Sequence, residues 1–223
     1  MIQAVLFDLD GVLVSTDELH FKAWERLAKE LSITTFTRED NARQRGVSRM
    51  GSLEVVLEKS GRNYSMEEKL ALAEKKNAYY VEMLQTVDET YILPNAKQTV
   101  LRLREKGIRI AVGSVSKNAP FILQQTGLLP LCDAVASGHD TTRSKPDPEV
   151  FLVAAQKVSI EPAHCLVVED ADAGIEAGHE GGMLTLGVGP AQLHPLANFR
   201  AQSLADESLD WERILQGKWG SKS

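Results

Sequence analysis

At 223 residues, 43% of them hydrophobic and 25% charged, the chain has the length and composition of one large folded domain or of a domain carrying a smaller insert. Lys and Arg number 25 against 31 Asp and Glu, a formal net charge of -6, so no long-range basic field exists to hold nucleic acid or anionic lipid. No run approaches the ~20 apolar residues that a membrane-spanning helix needs. The partner class left open is a small molecule, phosphorylated ones included, since a few local cations suffice to bind them.

In chain order, Met1-Ile2-Gln3 leads without a basic leader or cleavage site into Ala4-Val5-Leu6-Phe7, an apolar run of the buried parallel-strand type. From Ser15 to Leu93 the pattern is helical throughout. Ser15 with Glu18, and Ser65 with Glu68, have capping-box spacing, and Leu19, Ala23, Leu27 and Leu31 form an apolar stripe, as do Leu53, Val56 and Leu57. Residues 15–93 are therefore expected to form a separate helical cap, with hinges near Val14-Ser15 and Leu93-Pro94. A helix from Ala96 to Lys106 should stop at Gly107, and Pro120 opens another that ends at Gly127. Strands are expected at 108–112, 166–168 and 184–186, with a weaker one at 134–136. This β-α-β alternation over residues 1–14 and 94–216 predicts a doubly wound α/β core with a parallel, Rossmann-like sheet, followed by a frayed tail over 217–223. Cys132 and Cys165 lie in apolar surroundings and form no motif, so two reduced thiols in a cytoplasmic protein are expected.

Four strand ends carry chemistry. Phe7-Asp8-Leu9-Asp10-Gly11-Val12 sets two carboxylates two positions apart at the end of the first strand, on one side of an extended chain. That is where open α/β sheets bind ligands, and two acids there need a cation or a shared proton. Solvated acids in an Asp-Gly turn would carry the same letters. Glu169-Asp170 ends another apolar strand and could converge with the first pair on Mg²⁺, while Asp172 is expected to cap the helix beginning at Ala173. Ser114, Ser116, Lys117 and Asn118 offer hydroxyls, a cation, an amide and a following helix N-terminus to phosphate. Lys145, in Ser144-Lys145-Pro146, stands between a loop and a Pro-started helix.

These four elements, in this order and with a helical insert after the D-x-D, resemble the haloacid dehalogenase superfamily of phosphotransferases. The resemblance implies that Asp8 attacks phosphorus to give an aspartyl phosphate, with Asp10 as general acid and base. It further implies Mg²⁺ held by Asp8, the backbone carbonyl of Asp10, and Asp170, with Glu169 in support, while Ser114 and Lys145 hold the transferring phosphoryl group. Within the superfamily the chain looks like the β-phosphoglucomutase family, on His20-Phe21-Lys22-Ala23-Trp24, Gly46-Val47-Ser48-Arg49, Lys76-Asn77 and Ser116-Lys117-Asn118-Ala119-Pro120-Phe121. That resemblance implies interconversion of β-D-glucose 1-phosphate and glucose 6-phosphate through the 1,6-bisphosphate, by a monomer. Arg49, Ser116, Lys117 and Asn118 would bind the phosphate that stays, with Gly46 and Val47 beside them. His20 would govern the proton on Asp10, Thr16 would lie in the hinge, and Trp24 and Lys76 would line the sugar site. The chain departs from the family at Ser15, Arg45, Met50-Gly51 and residues 139–143, which leaves the choice of sugar open. A sugar-phosphate phosphatase of the same fold, or a silent phosphosugar-binding protein, are the alternatives.

Overall fold

The computed structural model describes residues 1–44 and 47–217. Arg45, Gly46 and residues 218–223 of the expected tail lie outside the described residues. The chain divides into two compact units, one made of residues 1–15 and 88–223 and the other of residues 16–87. The second boundary thus falls earlier than Leu93-Pro94. The stretch between holds a single 3-10 turn at Glu89–Tyr91, whose Tyr91 carbonyl accepts from Ser15 N, and Ile92 bridges to Val14.

The first unit is a six-stranded parallel sheet. Its strands are β1 (Ala4–Phe7), β2 (Arg109–Gly113), β3 (Ala134–Ala136), β4 (Cys165–Glu169), β5 (Leu184–Val188) and β6 (Phe199–Ala201), in the spatial order β3-β2-β1-β4-β5-β6. The expected strands all form, and β6 is an addition whose exposed Arg200 interrupts any apolar run in the sequence. Helices α5 (Ala96–Glu105), α6 (Ala119–Gln125), α7 (Glu149–Lys157) and α8 (Asp172–Glu180) supply the crossovers, and a short α9 (Trp211–Leu215) follows the sheet. Gly107 and Gly127, at φ 76° and 69°, end α5 and α6 as expected, because only glycine enters the left-handed region without a Cβ penalty. Ala4, Leu6, Ala111, Val167, Phe151 and Ala154 are among the buried residues of one sheet-helix core. Strand numbering reverses direction between β1 and β4. Both of these central strands are completely buried; Asp8 follows β1 and Glu169 ends β4, so the acidic turns meet at the topological switch point.

The second unit is helical among its described residues. It comprises α1 (Asp17–Glu30), α2 (Arg38–Ala42), α3 (Arg49–Leu57) and α4 (Met66–Leu84), packed around Phe21, Trp24, Leu27, Leu53, Val56 and Ala73. The Ser65-Glu68 capping box forms, with Ser65 Oγ accepting from Glu68 N and Glu68 accepting from Ser65 N. The Ser15-Glu18 box does not. Thr16 is the residue at the N-cap of α1 and makes no side-chain cap bond, its hydroxyl lying 2.8 Å from Tyr80 OH, while Ser15 N is already satisfied by Tyr91. Asp172 likewise does not cap α8. Ala171 occupies the N-cap, and Glu169 Oε2 accepts from the N–H groups of Asp170 and Ala171 at 3.0 and 3.1 Å, so the acceptor at this turn comes from the strand. No helix among the described residues is long and apolar enough to cross a membrane.

Candidate active site

Four turns at the carboxyl ends of β1, β2 and β4 and before α7 build the site in the first unit. Asp8 leaves β1 with its N–H still bonded to Val168 O at 2.9 Å, which fixes its Cα in the sheet lattice. The chain then folds tightly back: Gly11, at φ 82°, donates to Val14 O at 2.8 Å, and Asp10 bridges to Val14. A Cβ on Gly11 would fall 2.1 Å from Asp170 Oδ2, so the turn of the first motif packs directly against the acid of the second.

Lys145 is the hub of this cluster. Its side chain is only 2% exposed, yet its ammonium lies 2.5 Å from Asp8 Oδ1, bonds to Glu169 Oε1, and donates to Gly113 O at 3.2 Å. The ring of Phe151 lies 4.6 Å below it. Burial alone would lower the lysine's affinity for its proton; the charges of Asp8 and Glu169 outweigh that and hold its pKa above the ordinary value. Burial has the opposite sense for an acid. Opposed by Lys145 and reinforced by the charge of Asp8, it pushes Glu169 up to about 7. Ligand oxygens of Asp8, Glu169 and Asp170 lie within 4.8 Å of one another. One lysine against three carboxylates leaves negative charge in a buried place, and the donors are hard oxygens at the end of a rigid sheet. Both features fit Mg²⁺, which takes few carboxylates and keeps part of its water. The Asp10 carboxylate is not in this group.

After β2, Ser114 is buried, and its hydroxyl accepts from Ser116 N at 3.3 Å. Ser116 Oγ accepts in turn from Asn118 N at 3.2 Å, so the two serines order the turn into α6. Lys117 is exposed and Asn118 half-buried. The same turn is bound to the loop after β3 by Gly138 N, which donates to Ser116 O at 3.3 Å. A Cβ there would come within 2.4 Å of Val115 O, so Gly138 is required for this approach.

In the helical unit, α1 and α4 bring Thr16, His20, Trp24 and Lys76 together. Lys76 is 3% exposed; its Nζ lies 2.8 Å from His20 Nδ1 and sits over the rings of Trp24 and Tyr80 at 4.6 and 4.8 Å. Burial first, then the charges of Lys76 and Arg49, hold the His20 pKa well below 6.5. Arg49 opens α3 and pairs with Glu74 of α4 at 2.9 Å, and Val47 stands exposed before it. The expected contribution of Gly46 falls outside the described residues.

Three residues escaped the sequence reading, one in the helical unit and two in the sheet unit. Tyr80 joins Thr16, His20 and Lys76, but a tyrosine in a helical pattern reads as core. Gly174 gives Glu169 its place, since a Cβ there would stand 1.9 Å from that carboxylate. Gly138 had no signal beyond its residue type.

A family model described as haloacid dehalogenase-like hydrolase matches residues 2–182. Beta-phosphoglucomutase of Bacillus subtilis is 35% identical over 220 residues, covering 98% of this chain and 96% of that protein. The crystal structure of beta-phosphoglucomutase from Clostridium difficile superposes with a TM-score of 0.88 at 35% identity, over 97% of this chain and 96% of its own. A phosphorylated carbohydrates phosphatase of Thermotoga maritima is 26% identical over 82% of both chains. With its switch-point acids, its buried lysine and these relatives, the chain belongs to the haloacid dehalogenase-like hydrolase family.

Proposed function

We propose that this enzyme is a magnesium-dependent β-phosphoglucomutase, interconverting β-D-glucose 1-phosphate and glucose 6-phosphate through β-glucose 1,6-bisphosphate. The observation that carries this reading is identity of 35% to the Bacillus subtilis mutase over 98% of the chain. The geometry supports it chemically. A carboxylate oxygen of Asp8 attacks phosphorus as the bond from phosphorus to the sugar oxygen breaks, and Asp10 gives that oxygen a proton. In the reverse transfer Asp10 takes the proton from the attacking sugar hydroxyl as the Asp8–phosphorus bond breaks. Lys145, fixed by Asp8, Glu169 and Gly113, places positive charge where the phosphoryl oxygens gather theirs, and Ser114 adds a hydroxyl. Asp8, the Asp10 carbonyl and Asp170, backed by Glu169, would hold Mg²⁺, which when bound neutralises charge on the transferring group.

A mutase must also bind the phosphate that stays. Arg49, Ser116, Lys117 and Asn118 are assigned that role, with Gly46 and Val47 beside them and Trp24 and Lys76 toward the sugar. Residues 16–87 are read as the cap domain. His20 is assigned to control of the proton on Asp10, and Thr16 to the hinge. The two free cysteines support a cytoplasmic setting. A phosphatase acting on a related sugar phosphate is the second reading, favoured by the Thermotoga relative. The test of the chemistry common to both is Asp8→Asn, which keeps shape and removes the attacking charge. Turnover is expected to vanish while the circular-dichroism spectrum stays native, and activity within tenfold of wild type would refute Asp8 as nucleophile.

A further inference from the structure

Tyr80 touches His20, Lys76 and Thr16, the residues of the helical unit expected to govern the proton on Asp10, to line the sugar site and to lie in the hinge. It is 1% exposed. Its ring stacks on the imidazole of His20, with centroids 3.9 Å apart and planes 23° from parallel. The hydroxyl lies 2.8 Å from Thr16 Oγ1, and the Lys76 ammonium sits 4.8 Å from the ring centre. Lys76 in turn lies 2.8 Å from His20 Nδ1. An ammonium has donors and no acceptor, so Nδ1 must be the accepting nitrogen, and a neutral imidazole then carries its proton on Nε2. One face of that imidazole is covered by a rigid ring with only two side-chain torsions, itself anchored at its far end to the first residue of the helical unit. The stacked ring opposes rotation of the imidazole about its Cβ–Cγ bond. The cations near His20 are Lys76 on α4 and Arg49 on α3, both of which oppose a second proton.

We infer that Tyr80 is a positioning residue for His20: its ring face fixes the imidazole plane and, with Lys76, keeps His20 in the Nε2–H tautomer, while its hydroxyl ties that plane to Thr16. The consequence for turnover rests on the mutase reading above; the consequence for the imidazole does not. The stack, rather than the phenol, carries the effect.

Long-range ¹H–¹⁵N NMR of the full-length protein, without sugar, reads the tautomer directly. Wild type should show an unprotonated Nδ1 on His20. Tyr80→Phe keeps the face and should retain the tautomer, with kcat within about threefold of wild type. Tyr80→Leu removes the face and should give an averaged imidazole and a kcat about tenfold lower, a modest share of what acid–base catalysis supplies. Its KM should stay within twofold, and phosphorylation of Asp8 by acetyl phosphate should not change. A wild-type His20 protonated on Nδ1 would overturn the inference, as would a Leu variant with unaltered tautomer and kcat. If the Leu variant does not fold, wild type and Tyr80→Phe decide, since loss of the tautomer on removing the hydroxyl alone contradicts the role given to the ring face. Wild type that converts no sugar phosphate would sink the mutase reading and leave these spectra to decide the role of Tyr80.

Discussion

Asp10 and Asp170 are both acids of the switch point, yet their surroundings differ and different roles are proposed for them. Asp170 belongs to the cluster of converging ligand oxygens, and the Asp10 carboxylate does not. Asp10→Asn should therefore slow transfer by on the order of 10²–10⁴ while Mg²⁺ affinity is kept, because the backbone carbonyl survives the change. Asp170→Ala should weaken Mg²⁺, and raising the metal concentration should restore part of the activity. Calorimetric Mg²⁺ titration beside steady-state rates separates the two, and exchanged phenotypes would reverse the roles. Arg49 is read at the same scale. Its guanidinium, paired with the largely exposed Glu74, is available for a charge-assisted contact worth roughly 1.5–3 kcal/mol. Arg49→Ala should lower kcat/KM for the sugar phosphate about 10–150-fold. Phosphorylation of Asp8 by acetyl phosphate, which has no second phosphate, should stay within about threefold. Arg49→Lys should recover only part of the loss, because a point charge cannot reproduce the planar fork. Equal losses on both substrates would move Arg49 out of the distal phosphate site.

The element that most constrains the core site is the turn from β4 into α8. Glu169 bends back under the first turn of α8, its carboxylate held by Lys145 and by two backbone N–H groups, in space that exists because residue 174 has no side chain. Replacing a helical glycine by alanine ordinarily stabilises by about 0.5–1 kcal/mol. Gly174→Ala should do the reverse, losing about 1–3 kcal/mol as the new methyl group displaces Glu169. Its kcat should fall along with the stability. Urea unfolding in the presence of a chelator, beside the rate, tests this; a more stable, fully active variant would show that the carboxylate has room to move. This element also marks where sequence reading stops. Acids after an apolar run announced the strand end, but whether Asp172 or Glu169 served the turn depended on a side-chain path that spacing does not encode. The same holds at α1, where Thr16 turns to Tyr80 instead of capping its helix.

On the scale of the molecule, the parallel sheet and the helical insert were legible because hydrophobic period and glycine stops agreed along the chain. The order of the strands was not, since no local pattern says which side of β1 receives β4. That order is what unites Asp8 with Glu169 and Asp170, residues far apart in sequence, and it turns two separate acidic motifs into one site. β6 stayed hidden because Arg200 interrupts its apolar run, and Tyr80 because burial and function ask for the same residue type. The mutase reading asks more of the chain than this fold alone, since phosphatases share the switch-point chemistry. Phosphorus NMR of β-glucose 1-phosphate with Mg²⁺ and a trace of the 1,6-bisphosphate separates the two outcomes in one tube. The mutase should convert the substrate to glucose 6-phosphate with little inorganic phosphate, whereas inorganic phosphate as the main product, or an unchanged spectrum, would contradict it.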